Sequence, residues 1–116
     1  MWKRIKLKLK LFFLRLRGEP LYGFQYKERY GSIDLVHFIN LIGDHREKLE
    51  KILGKEVLIN GKVLLKAMPR KYYNGWFYCP CRFERSQRTM CPCIYHINEL
   101  AKHGRCKCGL FYIPKK

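Results

Sequence analysis

Apolar and polar residues alternate strictly over Ile5-Lys6-Leu7-Lys8-Leu9-Lys10-Leu11, the period of a strand with one apolar and one cationic face. The continuation Phe12-Phe13-Leu14-Arg15-Leu16-Arg17 breaks that period, and on a helix Ile5, Leu9, Phe12, Phe13 and Leu16 share a stripe. Residues 1–17 are therefore open to two readings: an element that packs its apolar side on the domain, or a basic amphipathic helix in peripheral contact with a membrane. Gly18-Glu19-Pro20 punctuates the chain next. Ile33, Leu35, Val36, Phe38, Ile39 and Ile42 then recur at helical spacing, with Ser32 in the N-cap position. Asp44-His45-Arg46-Glu47 has capping-box spacing, Leu49, Ile52 and Leu53 supply the apolar side that follows, and Gly54 closes the segment. This punctuation predicts two helices paired as a hairpin around Gly43. In Val57-Leu58-Ile59-Asn60-Gly61-Lys62-Val63-Leu64 an Asn-Gly pair separates two β-prone runs, which predicts a β-hairpin near residues 57–65.

Pro69 and the aromatic run Tyr72-Tyr73-Asn74-Gly75-Trp76-Phe77-Tyr78 lead into a cysteine-rich stretch. Such aromatics serve as core, or they shield a metal site from water. With 116 residues, 47% of them apolar, the chain fits one domain with a modest core. Within it, residues 1–70 form a support region with a basic N-terminal arm, and residues 76–113 form the cysteine-rich region. The expected fold class is α+β: a small metal-stabilised domain, mainly helical around a C-terminal site.

Charge narrows the choice of partners. The chain has 25 Lys and Arg against 9 Asp and Glu, a formal net charge of +16, which favours an acidic protein, an anionic membrane surface or nucleic acid. The opening residues do not read as an export signal, because Lys6, Lys8 and Lys10 interrupt the apolar positions and no small-residue cleavage site follows. Leu11 to Leu14 is the longest apolar run there, far short of the roughly 20 residues that span a bilayer. The expected compartment is a reducing cytoplasm, where thiols persist and disulfide frameworks are rare.

All six cysteines lie in three Cys-x-Cys pairs: Cys79-Pro80-Cys81, Cys91-Pro92-Cys93 and Cys106-Lys107-Cys108. Proline inside a pair fixes φ and removes a backbone donor, so the two sulfurs are held in a set relation. Six thiols exceed by two the four that one zinc ion or one four-iron cluster takes. Zinc sites usually space their ligands more widely than Cys-x-Cys, whereas iron–sulfur ligation tolerates varied spacings. From spacing alone the two metals stand about even. A zinc-binding basic module on nucleic acid would use the charge on phosphates and the tyrosines on bases, although no recognised nucleic-acid motif accompanies them.

The order of the pairs goes further. Cys79-Pro80-Cys81-Arg82, then Cys91-Pro92-Cys93, then Cys106-Lys107-Cys108-Gly109-Leu110-Phe111 resembles the catalytic (beta) chain of ferredoxin-thioredoxin reductase, which carries C-P-C, C-P-C and C-H-C before a short apolar run. The likeness covers about the final third of the chain. It implies that Cys79, Cys91, Cys93 and Cys106 ligate a [4Fe-4S] cluster and that Cys81 and Cys108 form a redox-active disulfide. It further implies a ferredoxin-like electron donor, a thioredoxin-like disulfide protein attacked by Cys81, and a disulfide reductase in which Cys108 stays at the cluster. The plant-type enzyme of that family works with a second subunit, so such a subunit is an open partner here; nucleic acid is the weaker one. The gaps between pairs, nine and twelve residues, are respectively shorter and longer than the family's. Lys107 stands where the family has a histidine, which leaves Lys107, His96 and His103 as candidates for proton handling.

Overall fold

The computed structural model describes Leu9 and residues 18–114. Apart from Leu9, the amphipathic arm of residues 1–17 lies outside the described residues, and with it the choice between a packed element and a membrane-lying helix. Within residues 18–114, three helices, α1 (Gly23–Tyr30), α2 (Leu35–Leu53) and α3 (His96–His103), are joined by four two-residue strands: β1 (Leu58–Ile59), β2 (Tyr72–Tyr73), β3 (Trp76–Phe77) and β4 (Phe111–Tyr112). The strands form two antiparallel pairs, β1 with β4 and β2 with β3. The fold is thus a small α+β arrangement. Among the described residues no helix is long and apolar enough to cross a membrane.

Helix α2 corrects the expected helical hairpin: it runs unbroken for 19 residues through Gly43. Its buried positions Phe38, Leu41, Ile42, His45, Leu49 and Ile52 stay in phase across the glycine, so one stripe faces the core throughout. Burying that stripe outweighs the roughly 1 kcal/mol by which an interior glycine disfavours a helix. The N-cap is Asp34, not Ser32; its carboxylate accepts the His37 N–H at 2.8 Å. Gly54 ends the helix in the left-handed region, as the sequence predicts.

The hairpin expected near residues 57–65 is also corrected. Leu58 and Ile59 pair instead with Tyr112 and Phe111 from the far end of the chain. Asn60 does not turn a hairpin: its side chain accepts the Lys62 N–H at 3.0 Å and so opens the helical run that includes the π-turn Val63–Ala67. The hairpin is made by the other Asn-Gly, where β2 and β3 flank Asn74 at φ 53° and Gly75 at φ 86°. Two successive positive φ values are what a type I′ turn requires.

Phe38 from α2 ties this hairpin to the helices, meeting Phe77 at 4.3 Å and the Trp76 ring edge-on at 6.1 Å between centroids. Leu49, Val57, Met68, Leu100, Leu110 and Phe111 continue the same buried cluster. It also includes Cys91 and Cys106, so the cysteine region is packed against the core.

Candidate functional site

Burial divides the six cysteines. Cys79, Cys91, Cys93 and Cys106 are buried, with exposures of 2%, 3%, 4% and 2%, whereas Cys108 is half-buried and Cys81 is exposed. All six are free thiols. Cys108 Sγ lies 3.6 Å from Cys106 Sγ, and Cys79 is in thiol hydrogen bonds with both Cys108 and Cys93. Cys91 lies close enough to Cys79 and Cys106 to feel their charge. The structure therefore gathers the three pairs at one place, with Cys81 at its rim. Among the described residues no three His, Cys, Asp or Glu side chains form a single-ion site.

The thiols are electrostatically unlike. Hydrogen bonds from Cys108 and Cys93 hold Cys79 down at about 3, against the effect of burial. A hydrogen bond from Cys108 likewise brings Cys106 down to about 7. The donors move the opposite way: Cys93 is raised by its bond to Cys79 and by burial, and Cys108 by its bonds to Cys106 and Cys79. Burial pushes Cys91 well up. Burial first, then the charges of Cys79 and Cys106, raise Cys81, while Lys107 and Arg82 pull it down.

Backbone donors converge on three of the buried sulfurs. The Phe111 N–H reaches Cys106 Sγ at 3.4 Å, and the backbone N–H groups of Cys81, Tyr95 and Gly109 act to lower Cys79, Cys93 and Cys106 respectively. Arg82 adds a guanidinium hydrogen-bonded to Cys93, and its Nε is buried with no partner. Four buried sulfurs, two of them with lowered pKa, aimed N–H groups and an Arg82 Nε without a partner suit an anionic metal–thiolate group. Cys79, Cys91, Cys93 and Cys106 are the buried thiols gathered here that could hold such a group.

The second pair is held from three directions. Trp76 Nε1 donates to the Cys91 carbonyl at 3.0 Å, the Gly23 N–H to the Pro92 carbonyl at 2.7 Å, and His96 Nδ1 to the Cys93 carbonyl at 2.5 Å. Gly23 is required there, because an added Cβ would sit 2.5 Å from the Met90 carbonyl carbon. Glu99 on α3 joins the other two pairs: one carboxylate oxygen accepts Arg82 at 3.1 Å and the other accepts the Lys107 N–H at 3.2 Å.

Of the three candidates for proton handling, His96 is buried with both ring nitrogens engaged, one by Cys93 and one by His45. Burial lowers it to about 4. His103 and Lys107 are exposed. The aromatic run divides between roles: Trp76 and Phe77 are core, whereas Tyr72 and Tyr73 are exposed. Sequence reasoning missed Gly23, His45 and Glu99, which reach the site from 8 to 69 positions away in the chain; no local pattern marks them. Comparison with known proteins adds no relative: no family model, no curated protein and no solved structure matches the chain.

Proposed function

We propose that this chain is an iron–sulfur disulfide reductase of the ferredoxin-thioredoxin reductase type. The observation that carries this reading is the division of the cysteines by burial. The four enclosed thiols are those that the motif resemblance implies as cluster ligands, and the two more open ones are those it implies as the redox pair. When bound, a [4Fe-4S] cluster supplies single electrons at a potential tuned by hydrogen bonds to its sulfurs and by solvent exposure.

The chain's own residues do the thiol chemistry. Cys81, deprotonated, attacks one sulfur of a protein disulfide; an S–S bond forms to Cys81 and the partner's other sulfur leaves as thiolate. Cys108 then attacks Cys81, which frees the partner's second thiolate and leaves a Cys81–Cys108 disulfide. Two electrons from a ferredoxin-like donor and two protons restore the dithiol. Burial and the neighbouring sulfur charges raise the Cys81 thiol above its ordinary value, and Lys107 and Arg82 offset part of that rise. A plant-type ferredoxin near −400 mV and a thioredoxin near −270 mV differ by about 130 mV, roughly 6 kcal/mol for two electrons, so transfer runs downhill. An acidic carrier suits the net charge of +16.

The test is reduction of a thioredoxin-like disulfide protein by a reduced ferredoxin-like donor, with and without Cys81→Ser. Turnover by the natural chain and none by the variant is the expected result. Turnover that survives the substitution rejects the assignment of Cys81.

A further inference from the structure

A run of buried hydrogen bonds crosses the molecule from α2 to the Cys93 loop, and the thiol chemistry does not use it. Lys48 Nζ meets the Tyr26 hydroxyl at 3.3 Å and the Pro20 carbonyl at 2.7 Å. The Tyr26 hydroxyl meets His45 Nδ1 at 2.6 Å, His45 Nε2 meets His96 Nε2 at 2.8 Å, and His96 Nδ1 meets the Cys93 carbonyl at 2.5 Å. Tyr26, His45 and His96 are 5%, 0% and 1% exposed. Each of the three helices contributes, Tyr26 from α1, Lys48 and His45 from α2, His96 from α3.

Both ends fix the direction of the run. A carbonyl only accepts, so His96 Nδ1 carries a hydrogen; an ammonium only donates, so the Tyr26 oxygen accepts from Lys48. One hydrogen lies between the two Nε2 atoms. A buried imidazolium without a carboxylate in contact is costly, so His96 is neutral and its Nε2 accepts from His45. His45 Nδ1 is then left to accept the Tyr26 O–H, and no buried donor is wasted. Four bonds thus run one way, Lys48 to Tyr26 to His45 to His96 to Cys93. The run stops at a carbonyl, which takes up no proton, so it orients a group and does not conduct to a thiol.

The geometry points to Tyr26, His45 and His96 as positioning residues that lock the backbone of Cys93, and so its sulfur, in the orientation that holds the metal–thiolate group. Its metal-holding part rests on the reductase reading above; the hydrogen-bond order does not. The flanking Phe111 ring, 5.7 and 6.1 Å from the two imidazoles, keeps the relay packed beside β4, whose first N–H reaches Cys106 Sγ.

Two measurements on the anaerobically purified full chain test this. Proton–nitrogen correlation spectra of the imidazole rings at neutral pH are expected to show His45 with its hydrogen on Nε2 and His96 with its hydrogen on Nδ1. The opposite tautomer at either ring, or an imidazolium, overturns the relay, whether or not the chain carries iron. Release of iron to a chelator is then compared between Tyr26→Phe, which deletes the O–H donor, and Ile42→Val, a core substitution of similar stability cost. Tyr26→Phe is expected to release iron about tenfold faster, the equivalent of one buried hydrogen bond. Equal rates in the two variants overturn the positioning role. A chain without iron sinks the reductase reading instead, and the ring spectra then decide the relay alone.

Discussion

Cys79-Pro80-Cys81 and Cys91-Pro92-Cys93 are the same tripeptide in two different settings. In the second, both thiols are buried and each of its three carbonyls is taken by a donor from a different part of the chain: Trp76, Gly23 and His96. In the first, Cys79 is buried and Cys81 is exposed, and the following Arg82 is tethered by Glu99. Proline fixes φ in both pairs, but the Cys91–Pro92 peptide bond is cis and the Cys79–Pro80 bond is not, and the surroundings of the two pairs differ as well. A fully clamped pair suits two ligands; a pair that straddles the surface suits one ligand and one reacting thiol.

The largest expected effect separates the pairs outright. Cys93→Ser should abolish cluster absorbance, whereas Cys81→Ser should leave it intact, as read by anaerobic absorption spectra. Acid gives the next largest. His96 titrates at about 4 when folded against about 6.5 when unfolded, and His45 is also held well below its ordinary value by burial. The unfolded chain therefore binds more protons across this window. Stability is full above about pH 6.5 and falls by about 1.4 kcal/mol per pH unit for each histidine, with the His96 share reaching about 3 kcal/mol near pH 4. Denaturant titrations across that range check it; a flat profile would break the link between the clamp and its neutral histidine.

Gly23→Ala acts on the clamped pair alone, by driving a methyl group into the backbone of Met90 and Cys91. A loss of about 1–3 kcal/mol is expected in denaturant unfolding. Glu99→Gln is the mildest. Its partner Arg82 is partly exposed, so the stability change should stay below about 1 kcal/mol, while loosening of the first pair should speed alkylation of Cys81 several-fold in timed mass spectrometry.

The elements that the sequence makes legible are those set by local chemistry. Gly54 ends α2 where its left-handed conformation predicts, and the apolar stripe from Phe38 to Ile52 is visible in the spacing. The misread elements depended on distant chain. Gly43 looks like a break only until the stripe on either side is seen to be in phase. Asn60-Gly61 and Asn74-Gly75 are the same dipeptide, yet β1 finds β4 about 50 residues away, which leaves the nearer run free to become helix. At the site, the order of the six cysteines is readable, but the groups that make one pair rigid are not. His45 and His96 meet across 51 positions, and neither carries a local signature of its role.

Iron and acid-labile sulfide content of the anaerobically purified chain, measured together with a map of alkylated cysteines, tests the central claim most directly. The account predicts a brown protein with about four irons and four sulfides per chain, in which Cys81 and Cys108 are the cysteines alkylated after reduction and the other four react only once the iron is removed. A colourless protein carrying zinc, or one in which Cys91 or Cys93 is labelled while the iron remains, would contradict it.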